Sequence, residues 1–378
     1  MWMVVVVLPE IQTEFGVTRS DASIPFTATM LGFAVGNLIF GRLVDRFGIV
    51  RPMMGAALLL GVGFTLGSFS TGIWSFSLFQ GVFIGLGTAV TFGPLIADIS
   101  HWFEKRRGIA VAVVASGNYI AGSIWPLITK EMIEAGGWRD AYLLAAVTSV
   151  AVMLPLALLL RRRIPHHIVT EIETEVPAPT RMQKIDISPR AIQILLSLAG
   201  ISCCVAMSMP QVHIVAYCAD LGFGLAAGAQ MLSLMLMGGI VSRLLSGLLA
   251  DYIGGVRTVL IGSFLQCMAL FLYLPFDGLV SLYVVSLVFG LSQGGLVPSY
   301  AIIVREYLPA KEAGERVGMV MMMTVMGMAL GGWLSGLIYD LTGSYEVAFI
   351  NGIAWNMLNM FIMAMLLWRT REPKAIPA

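Results

Sequence analysis

Apolar runs of about twenty residues follow one another along almost the whole chain, parted by short polar turns, and that pattern leaves few folds open. A run of this length crosses the hydrocarbon core of a bilayer as a helix, because in lipid every backbone N–H and C=O must find its partner within the protein. The spacing predicts helices near 24–41, 52–70, 73–97, 108–130, 139–160, 190–217, 226–247, 257–275, 279–303, 316–339 and 346–368. A shorter stub from Met1 to about Phe15 meets Glu10 and Glu14 before it can span. It reads as the outer half of a first helix that is incomplete at its N-terminus, which makes six helices in each half. No basic segment precedes the stub's apolar run, so a signal peptide fits poorly. Only 12% of the 378 residues are charged, about half the share usual in a soluble domain. The fold class expected is therefore an all-α integral membrane bundle with the lipid bilayer as its solvent.

One loop phrase occurs twice. Gly41, Leu43, Asp45, Gly48 and Arg51 recur at the same spacing as Gly247, Leu249, Asp251, Gly254 and Arg257. A duplicated phrase marks a duplicated unit. Two similar helical halves facing each other across a pseudo-symmetry axis is the arrangement of secondary transporters, whose substrate site lies between the halves. The division expected is a helical half at 1–160, a polar linker at 161–189, a second half at 190–370 and a tail at 371–378. Asp45 and Asp251 are suited to capping helix N-termini across the halves, with Arg46 and Arg257 beside them, as a latch that breaks when the halves rock. The plainer reading is a charge cluster that sets topology.

The chain has 23 Lys and Arg residues. With both termini on one side, three of them (Arg19, Lys130 and Arg139) fall in loops on the far side, and Arg243 falls inside a helix. All the others gather on the near side, which the positive-inside rule makes the cytoplasm. A multi-pass protein of the inner (plasma) membrane is expected, acting as a monomer. The four cysteines, Cys203, Cys204, Cys218 and Cys267, sit in apolar runs without metal-ligand spacing and read as packing residues.

Arg243 is the outstanding residue. An arginine at the centre of a spanning helix costs about 2.5–3.5 kcal/mol on insertion scales and faces a bundle interior or an aqueous cavity. Its planar fork matches one carboxylate. The competing reading is a staple to Asp220 or Asp251. Asp220 closes the seventh spanning helix with Tyr217 and His213 behind it. There a desolvated carboxylate can take up protons, or it can simply end the helix. His213 is suited to a substrate contact or a proton relay, and equally to a hydrogen-bonded structural role. Pro210 is expected to open that helix and turn Ser208 and Gln211 toward the cavity. Asn118 and Tyr119 form the matching polar patch in the first half. Tyr300, with Gln293 and Pro298, is a further binding candidate. No nucleophile, acid–base pair or metal set stands out beyond His213 and Asp220, so neither an enzyme nor a cofactor or metal is expected. A nucleic-acid partner is not expected either, and a sensor would want a larger soluble domain than the 161–189 stretch.

These features resemble the major facilitator superfamily, and within it the monocarboxylate transporter family. The phrase from His101 through Trp102, Phe103, Glu104, Lys105, Arg106 and Arg107 to Gly108, running on to Ala115 and Gly117, is similar to that family's loop before the fifth helix. Arg243 matches its carboxylate-binding arginine on the eighth helix. The resemblance implies a major facilitator fold and proton-coupled transport of a small monocarboxylate such as lactate or pyruvate by alternating access. An oxalate/formate-type exchanger without proton coupling is the alternative. Exchangers of dianions add a lysine on helix eleven, and the stretch from Arg316 to Tyr339 has none. Animal members carry an Asp one turn before the arginine, where this chain has Gly239, so proton coupling shifts to Asp220.

Overall fold

The computed structural model describes residues 1–96, 107–161, 187–308 and 313–369. The 161–189 linker, the 371–378 tail and the His101–Arg106 phrase therefore lie almost entirely outside the described residues. All regular structure among those residues is helical. The first half comprises α1 (Met3–Phe15), α2 (Arg19–Phe47), α3 (Val50–Ser68), α4 (Ile73–Phe79), a π-helical turn (Gln80–Gly85), α5 (Leu86–Ala89), α6 (Arg107–Gly136) and α7 (Trp138–Leu159). The second comprises α8 (Pro189–Asp220), α9 (Gly224–Ile253), α10 (Gly255–Leu272), α11 (Leu279–Gln293), α12 (Leu296–Tyr307), α13 (Ala313–Thr342) and α14 (Tyr345–Arg369). Ten stretches among the described residues are long and apolar enough to span a membrane.

Local chemistry sets the helix ends. The Thr18 hydroxyl accepts from Asp21 N and starts α2 five residues earlier than its apolar run. Ser188 caps α8 in the same way, with Pro189 in the first turn. Two expectations about breaks are corrected. α8 runs through Pro210 unbroken: the residue is buried among neighbouring helices, a setting in which spanning helices tolerate proline because local adjustment and neighbouring groups satisfy the freed backbone. The break falls in the tenth span, where Gly294 and Gly295 part α11 from α12.

The internal repeat is visible as a repeated joint. A Cβ on Gly85 would stand 2.6 Å from the Thr29 carbonyl oxygen, and one on Gly290 would stand 2.1 Å from that of Met235. The steps from 85 to 290 and from 29 to 235 are 205 and 206 residues, and Asp45 to Asp251 is also 206. Small residues let backbones touch where lipid offers no hydrophobic drive to associate, and here the same contact is made once in each half.

The halves meet chiefly through α2 against α13 and α6 against α9. Their apolar packing is lopsided. One core joins Val5, Phe26 and Tyr119 of the first half to Val212, Leu236 and Phe349 of the second. Toward the repeated loops it gives way to two separate clusters, Phe33, Phe40, Ile49 and Met53 on one side and Leu196, Val259, Ile303 and Leu366 on the other. The bundle is closed at the Arg19 end and divided at the Asp251 end.

Candidate functional site

Arg243 lies on α9 where that helix crosses both α6 and the α11–α12 break. The crossing is tight, since a Cβ on Gly294 would come within 2.0 Å of the Gly239 carbonyl oxygen and one on Gly295 within 2.0 Å of Ser246 Cβ. Because the helix breaks there, the Gly294 carbonyl is turned to accept from Arg243 Nε at 3.2 Å. Nη1 donates across the interface to the Ala115 carbonyl at 2.6 Å. The guanidinium lies over the Tyr119 ring, 4.3 Å from its centroid. Arg243 is 7% exposed, and among the described residues no carboxylate forms an ion pair with it. Two neutral carbonyls and the Tyr119 side chain hold the cation in place without cancelling its charge.

The other candidates divide around this point. Asn118 is beside it and accepts from Trp2 Nε1 at 3.2 Å, a contact that sequence reading missed. Gln211 Nε2 donates to Gln293 Oε1 at 2.6 Å, next to Gly294, which leaves Gln211 Oε1 and Gln293 Nε2 buried and unbonded. Ser208 faces the Val205 carbonyl at 3.4 Å and packs on Gly331. His213 Nε2 lies 2.8 Å from the Gly332 carbonyl, and Nδ1 lies 3.3 Å from the Tyr345 hydroxyl.

Tyr300 is held elsewhere. Its hydroxyl lies 2.7 Å from Asn359 Oδ1, to which it donates, and 3.1 Å from the Ala199 carbonyl, tying α12 to α8 and α14 inside the second half. Replacing it with Phe leaves a buried amide oxygen without its donor, at a cost of about 1–3 kcal/mol. The expected result is a lower unfolding midpoint, read by thermal melting of the purified protein.

Gly239 stands where the resemblance would put an acid, against the Tyr119 ring. A Cβ there would meet the Tyr119 ring at 3.5 Å, and its carbonyl oxygen is packed against Gly294. At 3.5 Å that Cβ would be in ordinary van der Waals contact, so packing at this crossing does not by itself explain the glycine.

The closed end carries a second constellation. Arg19 Nη2 reaches both oxygens of Asp220, at 3.0 and 2.9 Å, joining α2 to α8. Asp340 on α13 accepts from the backbone N–H of Arg19 at 2.8 Å and of Ser20 at 2.7 Å. This fork caps the positive start of α2 from the opposite half. Arg19 also lies against the Tyr339 and Tyr345 rings. Asp220 is thus the acidic half of a pair across the interface with Arg19, where the sequence offers Arg243 as its partner. Its partner is 201 residues away, and no local signal links the two.

At the divided end, Arg46, Asp251 and Arg257 are exposed and form no ion pair among the described residues, and the Asp45 side chain lies outside them. The cap expected of Asp251 is made instead by Glu306, both of whose oxygens accept from Gly255 N at 3.1 Å within the second half. Asp251 is in the last turn of α9 with its side chain turned to solvent, so it does not take that position.

The sequence model of the Major Facilitator Superfamily matches residues 1–285 and 232–378. Monocarboxylate transporter 13 of Rattus norvegicus is 27% identical over 338 residues, covering 87% of this chain and 75% of its own. Monocarboxylate transporter 11 of Homo sapiens is 24% identical over 385 residues, covering 98% of this chain and 78% of its own. The uncharacterized MFS-type transporter YhjX of Escherichia coli is 22% identical over 313 residues, covering 80% and 75%.

Proposed function

Because the chain belongs to the Major Facilitator Superfamily, a family of transporters and not of enzymes, we propose that it carries a small monocarboxylate, lactate or pyruvate in kind, together with protons across a cell's plasma membrane. The observation that carries this reading is the buried charge of Arg243, tethered by carbonyls of both halves and balanced by no carboxylate among the described residues. A buried cation without a counter-ion is costly, and an organic anion offering one carboxylate relieves that cost where it binds. One cation suits one negative charge. Two relatives bear the name monocarboxylate transporter, which supports the same substrate class.

Alternating access supplies the cycle. The carrier closed at the Arg19 end and divided at the Asp251 end exchanges with the reverse state, in which the repeated loops draw together and Asp45, Arg46, Asp251 and Arg257 latch that side. With the basic loops cytoplasmic, the divided end faces the cytoplasm. Asn118 and Tyr119 flank the anion. Gln211, Ser208 and His213 stand along the second half's side of the path, and Asp220 accepts the proton.

The test is a thermal-shift panel on the purified protein. A ligand that binds only the folded state adds about 2.7 kcal/mol at a hundred times its Kd. Lactate and pyruvate are expected to raise the midpoint, and oxalate and succinate to leave it in place. A panel in which the dianions stabilise more would sink the monoanion assignment. Lactate uptake driven by an imposed pH gradient alone tests the coupling, and its absence would favour proton-independent exchange.

A further inference from the structure

We propose that Arg19 is a second carboxylate seat, at the closed end, where an arriving monocarboxylate takes the place of Asp220 on the guanidinium. The proposal rests on the monocarboxylate reading and extends it to residues that the Arg243 site does not use.

The ion pair has an unfinished geometry. One nitrogen, Nη2, straddles both Asp220 oxygens, while Nε is buried and bonded to nothing. A guanidinium that serves as a permanent staple presents two parallel N–H groups to a carboxylate, and a buried N–H left unbonded costs about 1–3 kcal/mol. The two partners also differ in burial. Arg19's side chain is 7% exposed and Asp220's is 34%. The acid is the partner within reach of water, and its departure or protonation leaves a buried cation facing outward.

A place to arrive exists. A cleft of about 420 Å³ opens beside the pair, lined by Pro9, Gln12, Thr13 and Gly16 together with Arg19 and Asp220 themselves. Asp340 does not compete for the Arg19 side chain, because its two oxygens are engaged by the backbone N–H groups of Arg19 and Ser20. The Tyr339 and Tyr345 rings, with centroids 4.9 and 6.0 Å from the Arg19 guanidinium carbon, back the cation, and Pro9, Val17 and Ala219 in the cleft give apolar surface for a short aliphatic tail. The titratable and charged groups around Asp220 are therefore Arg19 on α2, Tyr339 and Asp340 on α13, Tyr345 on α14, and Tyr217 and His213 on its own helix.

In this arrangement a proton and an anion load at one gate. Protonation of Asp220 ends its claim on Arg19, the carboxylate of the acid takes the guanidinium, and the contact between α2 and α8 is released.

The test is exchange of labelled lactate in proteoliposomes, with the same buffer on both sides, either mildly acid or mildly alkaline. Wild type is expected to exchange faster in acid. Asp220→Asn removes the competing charge and is expected to raise alkaline exchange toward the acid rate of wild type. Adding Arg19→Gln to that variant is expected to raise the half-saturating lactate concentration by roughly 10-fold, the factor for one lost charge-assisted hydrogen bond. Arg19→Lys with Asp220→Asn retains the cation and is expected to fall between the two, which guards against misfolding of the Gln variant. If the double variant matches Asp220→Asn, Arg19 is only a latch and the proposal is overturned. It is also overturned if Asp220→Asn is no faster than wild type in alkali. Arg243→Lys in the same assay keeps the two readings apart, because normal exchange by that variant removes Arg243 from the substrate site whatever the Arg19 variants do.

Discussion

Arg243→Lys is expected to lower uptake of lactate into proteoliposomes by roughly 10- to 100-fold while the protein still folds. Lysine keeps the charge and loses the fork. Arg243 holds its position with Nε on Gly294 and Nη1 on Ala115, and its plane lies on Tyr119. An ammonium is a compact point charge that cannot hold two carbonyls in fixed directions and still present a planar edge to an anion. Each hydrogen bond to a charged group is worth about 1.5–3 kcal/mol, which sets the expected factor. The loss is expected in transport and in lactate-induced thermal stabilisation, with little change in the unliganded melt. Uptake at the wild-type rate would remove Arg243 from the site.

Gly294→Ala is expected to be among the most damaging single methyls in the molecule. The added Cβ would lie 2.0 Å from the Gly239 carbonyl oxygen and 2.8 Å from its carbon, so backbone meets backbone and no side chain can swing away. Overpacking typically costs about 1–3 kcal/mol where side chains can adjust, and this site lies at or beyond the top of that range. The same methyl pushes α12 away from α9 and carries off the carbonyl that orients Arg243. Thermal melting and lactate binding should therefore fall together. The control is Gly247→Ala, on the α9 helix that Gly294 packs against, where a Cβ meets nothing within 4 Å.

Much of this architecture was legible in the sequence. Helix number and type followed from apolar runs, since lipid permits a spanning segment little else. Arg243 stood out because an arginine inside such a run has no inexpensive explanation, and it does lie where the halves meet. The repeat in the loops foretold a duplicated unit, and the joint made by Gly85 and by Gly290 is its physical counterpart.

What escaped notice was long-range or sterically determined. The pairing of Arg19 with Asp220 joins residues on different halves, and each looks like an ordinary helix end in its own segment. Trp2 was read as part of an apolar stub, yet its indole N–H is a hydrogen-bond donor to Asn118. Tyr300 reads in the sequence as a binding candidate or an interfacial aromatic, and only packing shows that its hydroxyl belongs to Asn359. Proline at 210 suggested a kink, whereas two glycines at 294 and 295 provide one, because a helix gives way where close approach requires bare backbone.

A hydrophobic core common to both halves at one end only has a thermal consequence. Each turn of the carrier must pull that oily seam apart and wet it before another closes opposite. Wetting apolar area raises heat capacity, so the enthalpy of activation for reorientation should drift with temperature. An Arrhenius plot of turnover should therefore bend smoothly even in a bilayer with no phase transition.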